Sequence, residues 1–259
     1  MPESVFVREG ERFLATELAR GPWDPQAQHG GAPAALLVRA FEQLGVPGEL
    51  MLARVTYEFL RPVPLAALSV NASIMRSGRR VALVEGSISG DEGLEVVRAR
   101  GLYVRRTAVS GPVAAVAPRG PSEGAPNDLR SDPERPTFAT DAMEIRFVDG
   151  KFWELGAATA WFRLRVPLVA GERPSGTQRL AAAADFGNGI SPVVPWKDHL
   201  FINPDLSFYV EREPVGEWVC LSSETRVASG GVGVSESVLY DGDGRVGRAV
   251  QALVVERRG

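Results

Sequence analysis

The chain has 259 residues, 44% apolar and 24% charged, with a net charge of −3, an ordinary globular composition long enough for one large domain or two small ones. It carries no basic block that would invite nucleic acid, and no apolar run reaches the roughly 20 residues of a membrane span. One cysteine, Cys220, and two histidines, His29 and His199, exclude an internal disulfide and argue against a metal site built on Cys or His.

The first residues, MPESVFVREG, lack the basic and apolar regions of a signal peptide, so the expected compartment is cytoplasmic. Residues 1–20 read as a short strand pair, followed by a turn with Pro22 and Pro25. Leu36, Leu37, Ala40, Phe41 and Leu44 recur at helical spacing, which predicts a helix from Ala32 to Leu44. Gly30 and Gly31 precede it, Pro33 suits its first turn, and Gly45 and Pro47 end it. Four strand-like runs follow, Leu52 to Leu60, Leu68 to Met75, Arg80 to Ser89 and Leu94 to Arg105, separated by turn signals.

Residues 107–138 are rich in Pro, Gly, Ser and Ala and read as a linker. It separates an expected N-terminal unit, 1–106, from a C-terminal unit, 139–259. In the second unit, Met143 to Asp149 and Thr159 to Val166 are strand-like. Ser175, Gly176 and Thr177 then open a helix through Leu180 and four alanines. Asp185 closes it, before Phe186, Gly187, Asn188 and Gly189. Four more strands are expected at Leu200 to Glu211, Trp218 to Val227, Gly231 to Tyr240 and Arg245 to Glu256.

The halves repeat. VTYEFLRPVP from Val55 parallels LSFYVEREPV from Leu206, and Gly90-Asp91 parallels Gly242-Asp243. This points to duplication of a roughly 110-residue α+β unit. Two such units joined edge to edge would also cover exposed strand edges.

Asp185 is the residue with the clearest chemical potential. A carboxylate in a last helical turn faces the negative end of the helix dipole, and the surrounding run is apolar. It reads either as a solvated turn residue or as a functional acid. Gln251 lies in the apolar run AVQALVV, where a buried amide needs partners. Asn203 precedes Pro204 and reads equally as a turn residue. The Gly30-Gly31 turn offers backbone N–H groups at a helix start for binding a carbonyl, with His29 beside it. Cys220 reads as a core residue, as do Trp153, Trp161, Trp196 and Trp218, one or two of which could line a pocket.

The order of these stretches resembles the acyl-CoA thioesterase II family and its double hotdog fold, in which long antiparallel sheets joined edge to edge each wrap a central helix. HGGAPAALLVRAF from His29, TYEFLRPVP from Thr56, AAADFGNGISP, FINPDLSFYVEREPVGEWV from Phe201 and DGRVGRAVQALVVERR carry the resemblance, which covers nearly the whole chain outside the linker. The resemblance implies hydrolysis of acyl-CoA to free acid and coenzyme A, without a cofactor or metal. It implies a helix Asp, a strand Thr and a Gln on the final strand that hold the attacking water. These fall on Asp185, Asn203 and Gln251, with Asn203 a departure from the family Thr. His29, Gly30 and Gly31 are the expected substrate-binding residues. One working half-site per chain is expected, because the first unit has Ala40-Phe41-Glu42 in place of the Asp motif. Hotdog proteins often associate through sheet edges, and a homodimer is an expectation that the residues do not fix. Two other readings stay open: an enoyl-thioester hydratase using Asp24 and His29, and a non-catalytic acyl-thioester-binding scaffold.

Overall fold

The computed structural model describes residues 3–110, 116–129 and 132–258. In the first half, β1 (Phe6–Glu9) and β2 (Arg12–Ala15) form a hairpin, followed by α1 (Gly31–Glu42). Then come β3 (Leu50–Phe59), β4 (Ala67–Arg76), β5 (Val81–Ser89) and β6 (Glu95–Arg105). The second half holds β7 (Ala125–Pro126), β8 (Met143–Asp149), β9 (Ala158–Leu164), α2 (Gly176–Ala184) and the single turn α3 (Gly187–Ile190). It ends with β10 (His199–Ile202), β11 (Asp205–Val210), β12 (Val219–Val227), β13 (Val232–Asp241) and β14 (Gly244–Arg257).

The strands pair in the order β1-β2-β4-β5-β6-β3-β11-β14-β13-β12-β9-β8-β7, with β10 on the far end of β14. All the intra-sheet strand pairings are antiparallel. The halves meet at β3 and β11, where Thr56 pairs with Ser207 and the Ser207 hydroxyl donates to Thr56 Oγ1 at 3.1 Å. These two residues are equivalent in the sequence repeat. A local two-fold axis therefore passes between them, and the repeat seen in the sequence is a symmetry of the sheet.

Both long helices are buried nearly all round, as expected of helices enclosed in a core. α1 packs on β4, β5 and β6, while α2 packs on β9, β11 and β12. They also pack on each other. The small residues of α2 permit this: Ala181 to Ala184 are fully buried, and a Cβ at Gly31 would run into the carbonyl oxygen of Ala182.

Two expected elements differ in form. The predicted strand Leu200 to Glu211 is broken at Asn203-Pro204. Pro204 has no N–H for a ladder, and its carbonyl instead accepts from Phe59 N at 2.8 Å. β10 thus pairs with β14 alone, whereas β11 lies between β14 and β3. Within 107–138, residues 111–115 and 130–131 lie outside the described residues, while β7 pairs with β8 and Trp161 Nε1 donates to the Arg119 carbonyl at 2.7 Å.

Candidate active site

α2 ends at Asp185, its C-cap. The start of α1 lies against the same carboxylate: a Cβ on Gly30 would stand 2.8 Å from Asp185 Oδ2. The negative end of one helix dipole and the positive end of another therefore meet at this side chain. The second offsets the first.

Asp185 is only 6% exposed and is held by defined donors. Asn203 Nδ2 donates to Asp185 Oδ1 at 2.8 Å, and Gln251 Nε2 donates to the same oxygen at 3.2 Å. The break before β11 turns Asn203 toward the helix end. The inward alternation of β14 aims Gln251 at it, between the buried Ala249 and Leu253. Gln251 is 1% exposed and fully engaged: its Nε2 also reaches the Asp185 carbonyl at 3.3 Å, and its Oε1 accepts from Asn188 N at 3.2 Å. Gly187 leaves room for this, since a Cβ there would lie 2.9 Å from Gln251 Oε1.

Asn203 is engaged on one side only. Its amide nitrogen also donates to the Asp205 carbonyl at 3.0 Å, so both hydrogens are used and its side-chain oxygen is left to accept. Asp205 in turn accepts from Ala252 N at 2.6 Å. Burial raises its carboxyl above the ordinary value, with that hydrogen bond acting in the opposite direction.

His29 stacks on Phe186, with ring centroids 4.2 Å apart. Its Nδ1 lies 3.1 Å from Gly31 N and 3.1 Å from Asp185 Oδ2. One ring nitrogen cannot accept from Gly31 and donate to Asp185 at once, so these are two alternative hydrogen placements. Gly31 is thereby turned inward, its N–H toward His29 and its Cα against Ala182. Gly30 borders the cavity, and its N–H has no partner among the described residues.

A cavity of about 490 Å³ opens in front of this group. Asp185, Asn203, His29 and Gly30 line it together with Trp23, Phe59, Leu60 and Ile202. Gln251 stands behind the carboxylate and is not part of the lining.

The first half thus contributes His29, Gly30 and Phe59 to the cavity lining. At the opposite ends of the same helices, Glu42 closes α1 as Asp185 closes α2. Glu42 Oε1 and Oε2 accept from Ser175 Oγ and Gln178 Nε2, each at 2.6 Å. Burial raises the pKa of that carboxyl, with the hydrogen bonds from Ser175 and Gln178 acting in the opposite direction, and it serves as a clamp on the start of α2.

Asp24 also lines the cavity, but its carboxylate caps its own turn, accepting from Gln26 N at 2.8 Å. The carboxylate against His29 is Asp185. The expectation that the tryptophans are core holds for Trp161, which is buried. Trp153 is 55% exposed, Trp218 lies under the guanidinium of Arg163, and Trp196 lines the cavity.

Sequence reasoning missed Asn188 and Trp23. It also missed a buried hydroxyl layer beneath α3, where Ser191 meets Thr225 at 2.8 Å and Ser223 meets Ser237 at 2.7 Å. The alternating Ser and Thr of β12 and β13 were its only sequence signal.

Solved structures with the same architecture carry the hotdog fold. A hotdog-fold protein from Alicyclobacillus acidocaldarius matches with a TM-score of 0.74 at 16% identity, over 98% of this chain and 96% of that one. A thioesterase candidate from Novosphingobium aromaticivorans matches with a TM-score of 0.75 at 22% identity, over 96% and 98%. The acyl-CoA thioesterase II TesB2 from Mycobacterium marinum matches with a TM-score of 0.65 at 16% identity, over 94% and 97%. No relative among curated proteins matches the sequence. At these identities the structures speak for the fold alone.

The sequence supplies the family. Residues 19–104 match the acyl-CoA thioesterase N-terminal domain and residues 118–255 match the acyl-CoA thioesterase C-terminal domain. The chain belongs to the acyl-CoA thioesterase family and is a thioester hydrolase. Among the described residues no helix is long and apolar enough to cross a membrane.

Proposed function

We propose that this chain hydrolyses acyl-CoA by direct attack of a water that Asp185 deprotonates. The observation that carries this reading is a buried carboxylate held by Asn203 and Gln251 with one face on an apolar cavity. The water donates one hydrogen to Asn203 Oδ1 and the other to Asp185. Its oxygen attacks the thioester carbonyl carbon while Asp185 takes the proton, a general-base step. The developing oxyanion accepts from the unpartnered Gly30 N–H. The tetrahedral intermediate then collapses, the carbon–sulfur bond breaks, and the leaving thiolate recovers the proton from Asp185. Neither a covalent acyl-enzyme nor a change in oxidation state is required.

The two amides have different parts in this reading. Asn203 orients the water, whereas Gln251, behind the carboxylate, fixes its position. His29 and Gly30 line the substrate's approach, and Gly31 sets how closely α1 meets α2. The unit boundaries that fit the arrangement are 1–106 and 139–259, joined by 107–138, each unit supplying a helix whose end faces the other.

The test is thiol release from a panel of short, medium, long and aromatic acyl-CoAs, with an enoyl-CoA included. Release of free coenzyme A with the corresponding acid supports hydrolysis. Conversion of the enoyl-CoA to a 3-hydroxyacyl-CoA would instead favour hydration, and binding without turnover would favour a scaffold.

A further inference from the structure

A second cavity, of about 640 Å³, lies beside the first. Leu129, Ala139, Phe152, Leu155 and Phe186 make most of its lining apolar; Arg20, Lys197 and Arg258 also line it, and among the described residues no carboxylate does. The two cavities share Pro22, His29, Gly189 and Trp196. Those four residues form the wall between a chamber that holds the acid and a chamber that does not.

Trp196 is the large side chain of that wall, and it is clamped from both sides. Its ring stacks on Trp23 at 4.9 Å and 17°, and meets Phe201 edge-on at 4.4 Å. Toward the second cavity it stacks on Phe152 at 5.7 Å. Gly189 is the minimal side of the wall, where an added Cβ would meet nothing within 4 Å.

We propose that Trp196 sets the size limit of the acyl group. It closes a latent apolar extension into which a longer chain would otherwise pass, opposite the open space at Gly189. This rests on the thioesterase reading above: with the carbonyl at Asp185, the first chamber must hold the acyl group and the thioester end of its carrier. An acyl chain longer than that chamber meets the Trp196 ring. With the ring removed, each further methylene that enters the second chamber gains about fourfold in binding.

The experiment measures kcat/KM for butanoyl-, octanoyl-, dodecanoyl- and hexadecanoyl-CoA with wild type, Trp196→Ala, Trp196→Leu and Trp196→Ala/Gly189→Phe. Wild type is expected to fall off sharply with length. Each single variant is expected to raise the hexadecanoyl-to-butanoyl ratio at least tenfold, and the added Phe is expected to reverse the gain by refilling the gap. The wild-type profile tests the limit even where a Trp196 variant folds poorly. A wild type that hydrolyses hexadecanoyl-CoA as well as butanoyl-CoA overturns the proposal. So do variants that change every rate by one common factor, or a gain that survives Gly189→Phe. Absence of thiol release by wild type from every member would instead overturn the thioesterase reading itself.

Discussion

Gly30→Ala places one methyl group against the Asp185 carboxylate, the general base of the proposed mechanism. Gly30 has φ −59° and ψ −23°, which alanine adopts freely, so the substitution adds no backbone strain. The added Cβ would stand 2.8 Å from Asp185 Oδ2, 3.1 Å from Asp185 Cγ and 3.0 Å from Phe59 Cζ. Contact distances between such atoms are about 3.5 Å, so the carboxylate must retreat by about half an ångström. Asn203 and Gln251 hold it from the other side and resist that movement. Overpacking of this kind costs about 1–3 kcal/mol of stability, and misplacement approaching 1 Å costs about 100-fold in rate. We therefore expect kcat/KM for thiol release to fall by about 10- to 100-fold while the protein still folds, with a modest drop in Tm. Gly48→Ala is the control, because its Cβ meets nothing within 4 Å and it should change neither quantity. Full activity of Gly30→Ala at an unchanged Tm would refute the reasoning, since a displaced general base cannot work at the wild-type rate.

Gln251→Ala removes the inner support of Asp185 and leaves Asn188 N without its acceptor, so kcat should fall more than about tenfold and stability by about 1–3 kcal/mol; steady-state kinetics and a urea melt check both. Asp241 is fully buried and ion-paired with Arg212. Burial pushes its carboxyl up, but the Arg212 guanidinium and the Val215 and Asp243 N–H groups outweigh that and hold it below its ordinary value of 3.8. A lowered folded pKa gives stability that is present above the unfolded value and lost as pH falls through the folded one. Asp241→Asn should therefore be about 3 kcal/mol less stable at neutral pH, and this deficit should narrow in acid; pH-dependent melts that run parallel would contradict this. Burial pushes the Cys220 thiol up to about 12, so a thiol reagent should label it only after unfolding, which mass spectrometry of native and denatured protein distinguishes.

Much of the fold was legible because its signals are local. Proline, glycine and Gly-Asp turns punctuate the strands, and helical spacing marks α1. The duplication was legible too, because the equivalent residues Thr56 and Ser207 lie in matching strings. The Asp185 region was conspicuous as a carboxylate ending an alanine-rich helix. What holds it was less so. That Gln251 serves from behind follows from the inward face of β14 and the space at Gly187, which no local pattern reports. The contribution of Gly30 depends on where α1 meets α2, a tertiary distance. Trp196 read as core because an aromatic in a proline-rich loop has no period to place it. Trp23, Phe152 and Phe201 place it by long-range stacking. The break at Asn203-Pro204 was readable in principle, since proline cannot continue the ladder.

The central claim is that Asp185 activates the water. Asn is isosteric with Asp, and an Asn at 185 can still accept from Asn203 and Gln251 through its oxygen, so the fold should persist. The decisive measurement is kcat/KM for thiol release by wild type and Asp185→Asn, on the acyl-CoA that wild type hydrolyses fastest, with circular dichroism and Tm measured on both. The account predicts a variant with native spectrum and a rate at least about 100-fold lower, a loss of about 2.7 kcal/mol of transition-state stabilisation. A folded Asp185→Asn variant that works at the wild-type rate would contradict it and place the base elsewhere.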